Sequence, residues 1–322
     1  MERFLEEWNN DSPCVEVKTS GSTGEPKRMR VEKRRMMNSA RITCDFLGLK
    51  RGDTALLCLS TDYIAGKMMV VRALERGMKL VSIEPQGCPE WEGMVDLAAM
   101  VPLQVWNLLH QNPSRLTHIR HLLIGGGAID ERLEEALKDF PNAVWSTYGM
   151  TETLSHIALR RLNGPTASNW YTPFKGVTLS QTDEGCLVID APAVHDGQLV
   201  TNDIVELRAD GCFRILGRKD NVICSGGIKI QMEEVERLLR PHLSIPYMIT
   251  RAKDERLGET VVLLMEGGNS DEAKAVCERV LPKYWQPRHF VSVAHLPLTE
   301  TGKPARAEAE RLAQKNGDHP HG

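Results

Sequence analysis

At 322 residues and a net charge of −3, the chain is long enough for two domains and carries no general attraction to nucleic acid or an anionic membrane surface. Aromatic residues make up only 5%, which argues against a base-stacking surface, and no apolar run approaches the roughly 20 residues needed to span a bilayer. Eight cysteines (14, 44, 58, 88, 186, 212, 224, 277) include no CxxC pair, and the acidic start MERFLEEWNNDSP has no signal-like apolar core, so reduced thiols in a cytoplasmic protein are expected.

In chain order, residues 3–9 predict a short helix and CVEVKT (14–19) a strand running into the loop SGSTGEPK. Residues 32–47 carry helical rhythm and stop at Gly48; DTALLCLS (53–60) reads as a buried strand, 64–77 as a helix and 78–84 as the next strand. Residues 98–112 are helical after a strand-like start. HLLIGGG (121–127) is strand then loop, DERLEEALKDF (130–140) helix, NAVWSTYG (142–149) strand, and MTETLSHIAL (150–159) opens a further short element. Repeated β-α-β units imply a parallel sheet wrapped by helices.

After about residue 165, the segments 178–192 and 198–218, with turns DEG and ADG, predict antiparallel hairpins. KDNVICSGGIKI (219–230) predicts a short strand pair, 231–242 a helix, 259–267 a strand, 270–287 a helix capped by Ser270, and 288–297 a strand; the tail 314–322 is expected to fray. The fold class expected is therefore α/β, in two parts. A large N-terminal domain (1–219) has a parallel sheet, helices and a β-rich part, and a small mobile α+β domain (220–322) follows.

Five stretches carry chemistry. Thr19, Ser20, Gly21, Ser22, Thr23, Gly24 and Lys27 supply hydroxyls, free backbone N–H groups and an ammonium, the donors a polyphosphate needs; a surface linker is the alternative. YGMTET (148–153) offers Tyr148 to stack on a base, Thr151 to reach phosphate and Glu152 to hold Mg²⁺, or else it begins a helix capped by Thr151. LLIGGGAI (122–129) allows close ligand approach at Gly126 and Gly127, or makes a plain tight turn. In LGRKDNVICSGGIKI (216–230), Arg218 suits ribose or phosphate oxygens; a charged hinge plus a turn would explain the charges but not the paired Gly226 and Gly227. PLTETGKPAR (297–306) places Lys303 on a loop, where a merely solvated lysine is the alternative.

The order and spacing of these motifs from residue 19 to 306 resemble the adenylate-forming superfamily, which includes acyl-CoA synthetases, peptide-synthetase adenylation domains and firefly luciferase. The resemblance implies that an acid attacks the α-phosphate of ATP and that CoA then displaces AMP, with ATP, Mg²⁺ and CoA as the small molecules bound. It implies that residues 19–27 form the phosphate loop, that Glu152 ligates Mg²⁺, that Thr151 touches the α-phosphate, and that Asp203 and Arg218 bind ribose. Lys303 would be the catalytic lysine of adenylation, Asp220 the hinge, and Gly226 and Gly227 the lining of the pantetheine arm. The usual TGD reads TND here, and Asn202 is expected to alter a turn while leaving the carboxylate. Only eighteen residues precede the phosphate loop, far fewer than is usual, and a compact form is expected; a homodimer stays open.

LSTDYIAGKMMVVRALERG (59–77) resembles the acyl-pocket region, with Tyr63 in place of the usual histidine. Arg72, MVPLQVWNLL and LLIGGGAI are similar to the o-succinylbenzoyl-CoA synthetase branch of menaquinone synthesis. The branch implies a dicarboxylic acid whose second carboxylate meets Arg72. The alternatives are an aromatic or fatty acid passed to CoA or a carrier protein, or a nucleotide-binding relative without turnover. Arg72 itself has two readings: that carboxylate contact, or an i,i+3 pair with Glu75 on the helix's solvent face.

Overall fold

The computed structural model describes residues 1–18, 28–129, 131–299 and 304–317. Its largest sheet has seven strands in the order Lys79–Ser82, Thr54–Leu57, Val95–Met100, Ile119–Ile124, Ala143–Gly149, His156–Arg161, Thr172–Pro173. The first five run parallel, His156–Arg161 runs against them, and Thr172–Pro173 pairs antiparallel with His156–Arg161. Helices Lys33–Leu47, Ile64–Arg76, Pro102–Gln111 and Glu131–Leu137 connect or flank these strands. Their apolar faces close two cores, one around Met36, Met68 and Leu97 and one around Leu56, Leu108 and Ile119. The α/β class follows, because inner strands such as Thr54–Leu57 and Ile119–Ile124 are short apolar runs with buried residues on both faces.

Every parallel strand points its carboxyl end the same way, and in open parallel sheets that edge receives ligands. The turns Gly125–Gly127 and Met150–Thr153 lie at this edge. Beside it, Cys14–Lys18 pairs antiparallel with Arg28–Glu32, so that Lys18 faces Arg28 at the two ends of segment 19–27. Lys18 also bridges to Tyr63. The hairpin's base is tied down by Lys67, whose Nζ donates to Glu16 O at 2.9 Å and sits 4.8 Å from the Phe4 ring.

The β-rich part is a four-stranded antiparallel sheet, Thr178–Gln181, Cys186–Asp190, Gln198–Leu207, Phe213–Arg218. Beyond it, Val222–Ser225, Ile228–Gln231, Tyr247–Asp254, Gly258–Glu266 and His289–Val293 form a separate five-stranded sheet. Helices Met232–Leu239, Ser270–Val280 and Arg306–Gly317 belong to the same region, with cores of their own around Val235, Leu263 and Ala309. Among the described residues no helix is long and apolar enough to cross a membrane.

Several expectations change. Ser225 pairs with Ile228, leaving a two-residue loop in which Gly226 and Gly227 have φ of 57° and 84°. A hairpin turn with both central residues at positive φ requires such residues, so a turn explains the glycine pair after all. Asn269, not Ser270, caps the helix at 270, accepting from Asp271 N–H at 2.9 Å. Asn202 sits inside the strand Gln198–Leu207 and makes no turn.

Candidate active site

The carboxyl edge of the large sheet is shaped by two close approaches. A methyl group at Gly125 would meet Thr147 Oγ1 at 2.2 Å, and one at Gly149 would meet Ser155 O at 2.2 Å. Gly126 and Gly127 are exposed, and a methyl at Gly127 would touch nothing nearer than Pro102 at 3.7 Å. Its neighbours leave open space above that backbone, so a flat ligand can lie on it.

The Met150–Thr153 turn is held by Thr153, fully buried, whose Oγ1 receives Met150 N–H at 3.1 Å and donates onward to Ser155 O at 2.8 Å. Thr151 is nearly buried beside it, and its carbonyl receives Leu154 N–H at 2.9 Å. Glu152 is half-buried, and no donor among the described residues engages its carboxylate. No group of three His, Cys, Asp or Glu among the described residues is spaced to cage a metal. A lone carboxylate suits Mg²⁺, which takes one or two carboxylates and fills its remaining positions with substrate oxygens and water.

Tyr148 and Asp203, distant in sequence, meet at one corner. Tyr148 donates its hydroxyl to Asp203 Oδ2 at 2.6 Å, and Arg218 donates to Asp203 Oδ1 at 3.0 Å and to Asp220 Oδ2 at 2.7 Å. Burial and then the charge of Asp203 hold the Tyr148 phenol far above its ordinary range, so it stays a donor. The ring of Tyr148 is 6% exposed and packs on Tyr171 and Phe213. In place of an open face for a base, the structure gives Tyr148 the support of Asp203 from behind. Asn202 donates to both oxygens of Asp220, at 3.0 and 3.2 Å, a bond that glycine could not make.

Arg72 lies at the centre of a buried polar cluster. The helix Ile64–Arg76 is buried at every position from Gly66 to Ala73, and Arg72 is only 2% exposed. The solvent-face pairing with Glu75 is therefore excluded; Glu75 instead accepts from Arg41 at 2.9 Å and from Arg76 at 3.4 Å. No carboxylate among the described residues pairs with Arg72. Its Nη2 donates to Ser155 Oγ at 2.5 Å, its Nη1 approaches Met69 Sδ at 3.6 Å, and its Nε has no partner. Burial pushes the guanidinium down to about 10, still charged at neutral pH. A buried cation without a counter-ion is costly, and an anionic ligand group would relieve that cost. Sequence reasoning missed Ser155, His156 and Thr43 around it, because Thr43 and His156 meet across 113 positions and share no local motif.

Of the remaining sequence-derived candidates, Tyr63 stands 36% exposed at the start of the same helix, and Gly226 and Gly227 form the hairpin tip described above. Thr19, Ser20, Gly21, Ser22, Thr23, Gly24, Lys27 and Lys303 lie outside the described residues. Pro304, next to Lys303 in sequence, lines a cavity of ≈ 370 Å³ together with Arg132, Glu236, Arg240 and Tyr247.

Residues 3–200 match the family model described as AMP-binding enzyme. The chain belongs to the AMP-binding enzyme family. Among members of that family, it is 29% identical to 2-succinylbenzoate–CoA ligase of Geobacillus kaustophilus, over 92% of this chain and 69% of that protein. The ligase of the same name from Escherichia coli is 26% identical over 80% of this chain and 60% of its own length. Among solved structures, an acyl-CoA synthetase (AMP-forming)/AMP-acid ligase II-like protein from Dyadobacter fermentans superposes with a TM-score of 0.65 at 31% identity. That match covers 95% of this chain and 92% of the other. The fold is also that of the Bacillus subtilis o-succinylbenzoate CoA synthetase in complex with the acyl-adenylate intermediate OSB-AMP, at a TM-score of 0.77 and 23% identity, covering 91% of this chain and 68% of that one.

Proposed function

We propose that this AMP-binding enzyme is an ATP-dependent, AMP-forming acid–CoA ligase that converts o-succinylbenzoate to o-succinylbenzoyl-CoA, the reaction of its named relatives. The observation that carries the choice of acid is Arg72, a buried guanidinium with no carboxylate partner among the described residues. One carboxylate of a dicarboxylic acid reacts; the other pairs with Arg72 and removes the penalty of an isolated buried charge. A fatty-acid pocket has no use for a cation there.

In the first step, the reacting carboxylate, already ionised at neutral pH, attacks the α-phosphorus of ATP, the bond to pyrophosphate breaks, and an acyl-adenylate forms. No general base is required, so the chain supplies position and charge. Segment 19–27 would hold the phosphates, Thr151 the α-phosphate, and Asp203 with Arg218 the ribose. Gly126 and Gly127 would lie along the base, with Tyr148 at the edge of that site. Glu152 would hold Mg²⁺, which neutralises phosphate charge when bound. Lys303 would bridge carboxylate and α-phosphate.

In the second step the CoA thiol attacks the acyl carbon and AMP leaves. Residues 220–322 would turn about Asp220 between the steps, bringing Gly226 and Gly227 against the pantetheine arm; their separate cores support a boundary there. Tyr63 would border the acid. The reading includes a cytoplasmic setting, small-molecule partners only, and a homodimer, the last to be checked by sedimentation.

Pyrophosphate release with ATP, Mg²⁺ and CoA across a panel of acids tests the reading. Release that depends on o-succinylbenzoate, is abolished in Lys303→Ala and has a raised KM in Arg72→Ala supports it. Equal release with a monocarboxylic aromatic acid, indifferent to Arg72, would remove the substrate assignment and leave adenylation standing.

A further inference from the structure

Three side chains behind Arg72 have no role in the scheme so far. Arg72 Nη2 meets Ser155 Oγ at 2.5 Å, Ser155 Oγ lies 3.2 Å from His156 Nδ1, His156 Nε2 lies 3.1 Å from Thr43 Oγ1, and Thr43 Oγ1 donates to Ser39 O at 3.1 Å. The directions are forced from both ends. A guanidinium can only donate, so Ser155 accepts from Arg72 and is left with its own proton for His156 Nδ1. A backbone carbonyl can only accept, so Thr43 gives its proton to Ser39 O and receives one from His156 Nε2. The ring is thereby the Nε2–H tautomer, uncharged. A ring protonated on both nitrogens would leave Ser155 facing two donors. Burial, and next the charge of Arg72, hold the His156 pKa well below its ordinary value, which agrees with that tautomer.

The chain is also fixed in space. His156 and Thr43 are buried, and Leu154, immediately before Ser155, is held at φ 65°, a left-handed conformation that a leucine adopts only under constraint. Thr153 binds the carbonyl of Ser155. The turn that carries Thr151 and Glu152 therefore also sets Ser155, linking the phosphate end of the site to its acid end within six residues.

We propose that Ser155, His156 and Thr43 are positioning residues for Arg72. They form a one-way hydrogen-bond chain that aims the guanidinium at the second carboxylate of the acid and so sets the preference for dicarboxylic over monocarboxylic substrates. This rests on the ligase reading above. Without Ser155, only a methionine sulfur would orient the guanidinium, and its free N–H groups would no longer point one way.

The test compares Thr43→Val with Thr43→Ser, and includes Ser155→Ala, on o-succinylbenzoate and on a benzoate lacking the second carboxylate. Loss of a hydrogen bond to a charged group corresponds to roughly a tenfold or greater loss of binding. Ser155→Ala should raise KM for o-succinylbenzoate by about that factor and Thr43→Val, whose lost bond is to a neutral ring, by about fivefold, with kcat, KM for ATP and KM for the monocarboxylic acid within about twofold. Thr43→Ser should restore the wild-type value. Thr43→Val behaving like Thr43→Ser, or raising every KM together, overturns the proposal. Nitrogen NMR of the wild-type imidazole gives a second check that needs no variant: an Nδ1–H tautomer overturns it. Wild-type enzyme that releases no pyrophosphate with o-succinylbenzoate defeats the ligase reading itself, and does so before any variant is made.

Discussion

Arg72 sets activity against stability. Its charge is buried and, among the described residues, its Nε has no partner and its acceptors are a hydroxyl and a thioether. Replacing even a buried ion pair by well-packed apolar side chains is often neutral or stabilising by about 1–4 kcal/mol, and an unpaired buried ion has no Coulombic attraction to lose. Arg72→Met should therefore raise the urea midpoint of the free protein while lowering kcat/KM for the dicarboxylic acid by about 100-fold, the equivalent of two charge-assisted bonds. A variant less stable than wild type would mean that Arg72 already has a counter-ion. Wild-type protein, unlike Arg72→Met, should gain thermal stability from o-succinylbenzoate alone, by about 2.7 kcal/mol at a hundredfold excess over Kd.

Elements place these residues through a few points of contact. Gly149→Ala would drive a methyl into Ser155 O, a backbone atom that cannot yield without moving the turn. A loss of at least about 3 kcal/mol is expected by denaturant unfolding, beyond the range of an ordinary surface change. Lys67 works at a distance: it joins Glu7, Glu16 O and the Phe4 ring at the base of the hairpin that carries segment 19–27. Lys67→Met should raise KM for ATP by about threefold to tenfold and leave KM for the acid unchanged, since only the hairpin loses its tie. The same elements explain what was readable in sequence. Glycine-marked loops after apolar strands announce themselves, and the parallel sheet, its order of units and the YGMTET turn were legible for that reason. The strand Arg28–Glu32 was not, because only Val31 is buried in it. The final helix buries little more than Ala309 and Ala313, too small an apolar signal to show. Thr43, Ser155 and His156 were invisible because tertiary distance alone assembles them.

At the scale of the molecule, pH acts through buried imidazoles. Burial, then the charges of Arg120 and Arg161, push His121 down to about 4, and His156 is also lowered. The unfolded chain takes up protons near pH 6.5 that the folded chain refuses, so the unfolded state gains as pH falls. Stability should be undiminished by these groups above about pH 6.5 and lost progressively down to about pH 4, and His121→Gln should flatten part of that slope in urea midpoints measured against pH. A flat profile across this window would show that neither ring is refused its proton. A division at Asp220 is proposed from a change of pattern, parallel α/β giving way to hairpins and then to a new α+β run, and the separate cores around Val235 and Ala309 support it. The bond from Asn202 to Asp220 was not legible in the sequence, because a departure from a motif does not say what the new side chain will find.

The junction between the two parts has two basic residues in a row, and both are occupied: Arg218 by Asp203 and Asp220, Lys219 by Glu184 at 2.5 Å. Trypsin must draw such a side chain into its own pocket before it can cut. In the arrangement seen here the junction should therefore resist digestion, although it joins two separately cored units. Asn202→Gly removes one of the ties on Asp220 and should shorten the lifetime of the intact chain under trypsin by several-fold. The protease thus becomes a clock for how long the two parts keep their present relation.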